Sequence, residues 1–584
     1  MRGFDVIIRG GTVVDGTGAP AHRADVGIVG DRIAEIAPAL EGAAGREIDA
    51  TGRLVTPGFV DIHTHLDAQI AWDPIASSSC YHGVTSIVMG NCGVTFAPCR
   101  PDDHADLAAL MESVEDIPRE AILTGMPWDW VTFGDYLASI DRMPKGPNVG
   151  GLVGHAALRH YVMGERGLDP APAAPADIAA MADLLDEAMS RGALGFSTNR
   201  TSLHKVPDGR PIPGTFATAD ELLAFAEVLA RHGVGVVGSA GGLAERDTGD
   251  EEGYPQIHAE LAWMAEVSRR SGRPVTFGMH QHDHRPGLYR RILQFSHEAN
   301  TRGAVVRPQT SARNVGMLYS LVTRTIFDEL PVWRDVHALA PERRIDAVRD
   351  PATRAALIEA AEQHGGSIDL DRLSVVTPLA PDGGARYDLD PALTIGGIAR
   401  ARGISPATAF VDLLLETDGA LVCSWPFLNR RLDALEEMLG DPLVVIGLAD
   451  AGAHVGEVLD ASQPTWYLSY WVRERGCWSI EEGVRRLTSD PADLFGIRER
   501  GRLVEGAFAD VNVIDLAALG LPAPTFVNDL PTGAGRWVQG ANGYDCTIVN
   551  GQVFMEHGRH TGAFPGTTLR NDAASGRVRG GGGR

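Results

Sequence analysis

The sequence predicts an α/β protein: a closed (β/α)8 TIM barrel in the middle of the chain and a small β-sandwich built from both termini. Three observations lead there. Apolar β-rich runs alternate with helix patterns over roughly 400 residues, the signature of a parallel sheet with crossover helices. Both ends of the chain are instead rich in short strands and turns. No Gly-x-Gly-x-x-Gly follows the first strand, which counts against a dinucleotide fold. An open doubly wound sheet is the alternative. The expected boundaries are 1–57 and 501–570 for the two parts of the sandwich, 58–500 for the barrel and 571–584 for a flexible, glycine-rich tail.

The elements follow in order. Val6–Val14 reads as two β-rich runs around Gly10-Gly11, and Asp25–Val29, Gly30-Asp31 and Arg32–Ile36 read as a hairpin. Barrel strand candidates are Thr85–Met89, Val149–Val153, Gly195–Thr198, Gly233–Val237, Pro274–Gly278, Ala304–Arg307 and Leu443–Leu448. Thr218-Ala219-Asp220-Glu221 is a capping box opening a helix to about Arg231, with Gly233 past its end. Ser479–Glu482 repeats the start signal, and Ser405-Pro406 offers an N-cap with Pro in the first turn. Ala509–Asp515 and Thr547–Val553 close the chain as short strands. The stretches at about 100–130 and 327–388 are long for barrel loops and suit a lid or an oligomer contact. Within the first, Trp128 and Trp130 either line a pocket or pack.

The 584 residues are 44% hydrophobic and 22% charged, ordinary globular composition. A formal net charge of −24 favours solubility and disfavours nucleic acid or anionic lipid as a partner. The apolar run at the amino terminus is too short for a signal peptide, and no window suits a membrane span. Six irregularly spaced cysteines (Cys80, Cys92, Cys99, Cys423, Cys477 and Cys546) read as reduced thiols in the cytoplasm. The expected partner is a small molecule, with homo-oligomerisation left open. Lysine is scarce: Lys145 and Lys205 are the only two.

Three segments carry chemistry. Pro57–His65 ends an apolar strand in His-x-His. A strand repeats every two residues, so His63 and His65 face the same way. At the C-terminal end of a barrel strand that direction is the mouth of the site, where two imidazoles can hold a divalent ion. Gly83–Gly93 is a β run stopping at Gly90-Asn91-Cys92-Gly93. A cysteine there is either a small buried hydrophobe or, exposed by the flanking glycines, a thiolate ligand. Val444–His454 places Asp450 after a late apolar run, where it either caps a turn or accepts a proton from water. His454 contacts substrate, supports the site or only packs.

These segments resemble the D-aminoacylase (N-acyl-D-amino-acid deacylase) branch of the amidohydrolase superfamily, and the likeness runs nearly end to end: Asp5–Gly16, Pro57–His65, Gly83–Gly93, Gly192–Thr198, Leu448–His454 and Gly506–Asp510. The resemblance implies a distorted (β/α)8 barrel with a small β-domain, zinc (one or two ions), and hydrolysis of a carbon–nitrogen bond other than a peptide bond in N-acyl-D-amino acids. It implies His63 and His65 as metal ligands, Cys92 in the bridging position and Asp450 as general base and ligand. Many members of the superfamily bridge their metals with a carbamylated lysine; neither Lys145 nor Lys205 is well placed for that, so Cys92 is the better bridge.

Two departures matter. The family's fifth strand ends in a metal-binding His, where this chain has Val237-Gly238-Ser239-Ala240-Gly241. Its sixth ends Ser-His-x-Lys, the His on zinc and the Lys on the substrate carboxylate, where this chain has Thr276–His282. The simplest register puts Met279 and Gln281 on those two positions; a shift by one makes His280 a ligand, and His282 and His284 read as loop residues. One metal through His63, His65 and Asp450, with Cys92, becomes the favoured count. Without the lysine, Arg200, Arg307 and Arg313 are candidates for a substrate carboxylate, or make ordinary salt bridges. The competing readings are hydrolysis of a cyclic, hydantoin-like or lactam amide, and a binding protein on the same fold that has lost catalysis.

Overall fold

The computed structural model describes residues 3–243, 254–364, 368–377 and 384–574. Its centre is a barrel of eight parallel strand positions. They are Phe59–Asp61, Val84–Met89, a third shared by Asn148–Gly151 and Val153–Gly154, then Gly195–Asn199, Val236–Ala240, Val275–Gly278, Val306–Thr310 and Val445–Ile446. All neighbouring pairs are parallel. The ring closes through a parallel bridge of Thr64 with Ala451 and two backbone bonds, His65 N–H to the Ala451 carbonyl (2.8 Å) and Asp450 N–H to the His63 carbonyl (3.1 Å). The first and last strands therefore meet at the residues that the sequence marks for chemistry.

The helices start and stop for local reasons. Thr218 caps Ala219–His232 by accepting from the Glu221 amide, and left-handed Gly233 ends it. The reciprocal half of the expected capping box is absent. Glu221 is buried and turns instead to His155 Nε2 (2.8 Å) and the Arg159 guanidinium (2.8 Å), because a carboxylate out of water needs charged partners more than a backbone amide does. Ser405 and Ser479 cap Pro406–Glu416 and Ile480–Leu487 as expected.

Three barrel strands differ from their sequence reading, the eighth shrinking from Leu443–Leu448 to Val445–Ile446. The fifth begins at Val236, because Gly233 and Gly235 take left-handed backbone, and it extends to Ala240. The seventh runs on to Thr310, which carries Gln309 to the barrel mouth. At the amino terminus Phe4–Val13 is a single strand, with a bulge between Ile8 and Gly11 where two runs were expected.

Both chain ends share one sheet. Its order runs from Arg559–His560 through Gln552–Glu556, Tyr544–Val549 and Val511–Ile514 to Leu54–Pro57, Phe4–Val13, His22–Val29 and Arg32–Ala37, with Ala44–Asp49 paired to Phe4–Val13. The expected tail divides. Leu569 donates to the Val149 carbonyl (2.7 Å), and Asn571 is buried with its amide on the Met189 and Ala193 carbonyls (2.8 Å each). Residues 575–584 of that reading lie outside the described residues. No helix among the described residues is long and apolar enough to cross a membrane.

The two long stretches are folded. The second belongs to an antiparallel sheet of Val315–Ser320, Val422–Leu428 and Ser374–Thr377 with helices between, and has its own core around Phe327, Trp333 and Phe410. The first contains the helices His104–Glu115 and Arg119–Gly125. Trp128 and Trp130 stack on one another there, and the Trp130 indole donates to the Phe96 carbonyl (2.8 Å).

Candidate active site

The site is built where chain segments leave the barrel strands. Past Asp61 the chain stays extended, Asp61 accepts from the His63 amide (3.1 Å), and the two imidazoles stand 5.6 Å apart between centroids. Past Met89 it bends through Gly90, Cys92 and Gly93, all with φ between 54° and 78°. A Cβ at Gly90 would meet the Leu152 carbonyl oxygen at 2.2 Å, so the thiol's position depends on glycine there. Past Ile446, Leu448 and Asp450 take left-handed backbone (φ 56° and 44°), which places Asp450 on a bend rather than on a strand.

His63 Nε2 lies 3.4 Å from Cys92 Sγ and 3.2 Å from Asp450 Oδ1, and His65 Nε2 is 3.8 Å from the same carboxylate oxygen. The candidate ligand atoms of His63, His65 and Cys92 lie within 4.8 Å of one another. The remaining nitrogen of His63, Nδ1, faces Gln309 Oε1 at 3.2 Å. Gln309 gives its amide N–H to Thr276 Oγ1 (2.8 Å), so its oxygen is the atom turned to the imidazole. That fixes the proton of His63 on Nδ1 and leaves the Nε2 lone pair aimed at the cluster.

Burial governs the protonation of every member. It pushes His63 down to about 4 and His65 well below the usual imidazole value, so both are neutral donors. It pushes Asp450 up to about 6, offset by His454. It pushes the Cys92 thiol far up, with the Asp450 and Glu115 carboxylates adding to the effect. Two neutral imidazoles, a thiol and a carboxylate converging without any cation match a site for a soft-to-borderline divalent metal, whose charge stabilises the thiolate and carboxylate.

A cavity of about 540 Å³ opens over this cluster. Leu203 and His204 enter it after the fourth strand, Ser239 on the fifth and Leu243 after it, Met279 and His280 after the sixth, and Phe427 and Leu428 from the inserted sheet. Sequence reasoning missed Glu115, Gln309 and His204. Glu115 Oε1 stands 3.1 Å from His65 Nδ1, and the Glu115 carbonyl accepts from the His454 amide (2.5 Å). His204 is held down to about 3 by burial, and its buried Nδ1 has no partner.

Several assignments are corrected by position. Arg307 lines a separate cavity with Arg273, Arg485 and Asp490, and donates to the Pro442 carbonyl (3.0 Å); it lies near the start of its strand, away from the mouth. Arg200 is held by Glu260 (2.8 Å) and by the Thr215 and Ala217 carbonyls. Arg313 is buried against Asp460 (2.6 Å) and the Tyr387 ring. None of the three lines the large cavity. His454 does not line it either; its Nε2 is 3.9 Å from Glu115 Oε2. His280 lines the cavity without joining the His63–His65–Cys92 cluster. His282 and His284, read as loop residues, line it too. Gln281 turns away from it, accepting from the Arg431 amide (3.0 Å).

Comparison with known proteins adds an independent line. The model of the amidohydrolase family matches residues 46–555. A D-aminoacylase of Alcaligenes xylosoxydans xylosoxydans is 29% identical over 98% of this chain and 98% of its own length. A solved D-aminoacylase, described with a binuclear metal centre activated by one metal and attenuated by the second, has a TM-score of 0.65 at 25% identity, covering 97% of this chain and all of that one. An N-acyl-D-glutamate deacylase from Bordetella bronchiseptica, solved with zinc and a phosphonate mimic of the tetrahedral intermediate, has a TM-score of 0.64 at 26% identity with the same coverage.

Proposed function

The chain belongs to the amidohydrolase family, and from that premise we propose that it is a metal-dependent deacylase of N-acyl-D-amino acids working with one zinc ion. The observation that carries this reading is the convergence of His63 Nε2, His65 Nε2 and Cys92 Sγ beside the Asp450 carboxylate on the floor of a substrate-sized cavity. The mixed imidazole and thiolate donors favour zinc. A single ion follows from what stands on strands five and six: Ser239 and Met279 at the mouth, with His280 outside the cluster.

The divalent ion, when bound, supplies a Lewis acid that polarises the amide carbonyl and acidifies water. The protein does the rest. Asp450 lies beside both imidazoles and faces the cavity, so it takes the proton of the attacking water and returns it to the leaving amine nitrogen. Gln309 keeps His63 in the tautomer that presents Nε2. Leu203, Leu243, Met279, Leu288, Ile292 and Phe427 wall the cavity, and no lysine or arginine lines it among the described residues. An apolar side chain or acyl group fits there better than a second carboxylate. The cytoplasm suits a site that depends on a reduced Cys92.

The test is cobalt substitution with a substrate panel. Cobalt(II) should give a sulfur-to-metal charge-transfer absorption that Cys92→Ser removes. The zinc enzyme should hydrolyse N-acyl-D-leucine or N-acyl-D-phenylalanine faster than N-acyl-D-glutamate. Absence of stoichiometric metal, or of turnover across the panel, refutes the reading.

A further inference from the structure

We propose that Glu115, at the end of the helix His104–Glu115, is the positioning residue for His65: it is the acceptor for the Nδ1–H and so holds the imidazole with Nε2 turned to the metal. This rests on the reading of His65 as a ligand. Glu115 and His65 are each 2% exposed. Their facing atoms, Oε1 and Nδ1, lie 3.1 Å apart without the angle of a formed hydrogen bond, and neither atom has a hydrogen-bond partner. A carboxyl group cut off from water needs a partner, so a buried Glu whose near neighbours are two imidazoles and the carboxyls of Asp450 and Asp67 needs an explanation. The Nδ1–H of His65 provides one. It also mirrors His63, whose Nδ1 faces Gln309 Oε1. Both imidazoles thus have an acceptor on the far side, one neutral and one acidic, and both present Nε2 to the same point.

The backbone supports this role. Asp116, next in the chain, takes left-handed backbone (φ 55°) and ends the helix, and its side chain accepts from the Gly456 amide (3.2 Å). The Glu115 carbonyl accepts from the His454 amide (2.5 Å), four residues past Asp450. The end of this helix is therefore pinned to the loop that follows the eighth strand, and its carboxylate reaches His65 on the first. A segment read from sequence as a long loop is a brace between the two strands that close the barrel. An acidic acceptor makes the imidazole a stronger donor to a metal, and loss of such partners typically costs 10–100-fold in metal affinity.

Glu115→Leu and Glu115→Gln in the full chain test this, with zinc affinity read by competition against a chromophoric chelator and the melting midpoint of the metal-free protein read alongside. Glu115→Leu should weaken zinc binding 10–100-fold. Glu115→Gln, which keeps shape and an acceptor oxygen, should lose less. Both should melt, metal-free, close to the parent midpoint, because neither removes a hydrogen bond of Glu115 Oε1 or His65 Nδ1. Unchanged zinc affinity in both variants overturns the proposal, and so does a metal-free midpoint that falls along with the affinity, which would mark a purely structural role. If Glu115→Leu does not fold, Glu115→Gln decides on the same two readings. A parent protein that binds no zinc overturns the metal reading itself; a parent that binds it while the variants bind equally well overturns only the role of Glu115.

Discussion

The two sides of the barrel mouth are built differently. On the side of strands one, two and eight, polar groups are locked. His63 lies between Gln309 and Asp450, the backbone of Asp450 is bonded to that of His63, and left-handed residues fix Cys92 and Asp450. On the side of strands five and six, Ser239, Leu243 and Met279 face open space, with Leu288 and Ile292 behind them and Phe427 arriving from the inserted sheet. The first side has few degrees of freedom and strongly perturbed protonation; the second offers shape and apolar surface. On the proposed reading, reaction chemistry and substrate selection would be carried by different strands, and the second could vary without disturbing the first.

Breaking the rigid side should have the largest effect. His63→Ala should abolish both stoichiometric metal, measured by plasma emission, and turnover; full activity without metal would remove the basis of the division. Asp450→Asn should lower kcat by about 10²–10⁴-fold while metal content is kept, the loss expected for an absent general base. Gln309→Met, which removes the acceptor behind His63, should weaken zinc about 10-fold in a chelator competition. On the open side, Phe427→Ala should raise KM for an apolar substrate several-fold and leave kcat within about twofold, because it loses contact area rather than chemistry; an equal fall in kcat would mean that the two sides are not separable.

The smallest effect lies outside both sides. His82 is fully buried with partners on both ring nitrogens (Thr465 Oγ1, 2.9 Å; the Gln539 carbonyl, 3.1 Å), and burial holds it at about 3. Folded chains keep it neutral while unfolded chains protonate it near the ordinary value of 6.5. Its contribution is whole above pH 6.5 and is lost as pH falls towards 3. The melting midpoint of the metal-free protein should decline over that window, less steeply in His82→Gln.

The sequence marked the site where its signals are short and local. His63 and His65 sit two apart, Cys92 lies between glycines, and Asp450 follows an apolar run; the structure brings these four together. The barrel was legible from the alternation of elements and the β-domain from the texture of the two ends. What stayed hidden depends on register and on distant segments. A seventh strand read as ending at Arg307 gave no reason to look at Gln309, two residues on and facing the mouth. Glu115 continues the apolar face of Leu107, Leu110, Met111 and Val114, an acidic residue at a core position that went unused as a signal, while His204 comes from a segment with no periodic pattern. Arg200 and Arg307 were nominated by charge alone, and charge says nothing about which end of a strand a side chain occupies.

The seam between Thr64 and Ala451 has a consequence for how the protein is made. His63, His65 and Cys92 emerge from the ribosome early and Asp450 only after almost the whole barrel has been synthesised. A nascent or truncated chain therefore carries the imidazoles without the carboxylate opposite them. On the proposed reading the ion's candidate ligands are all present early, while hydrolytic competence, which needs Asp450, should arise only with the last turn of assembly.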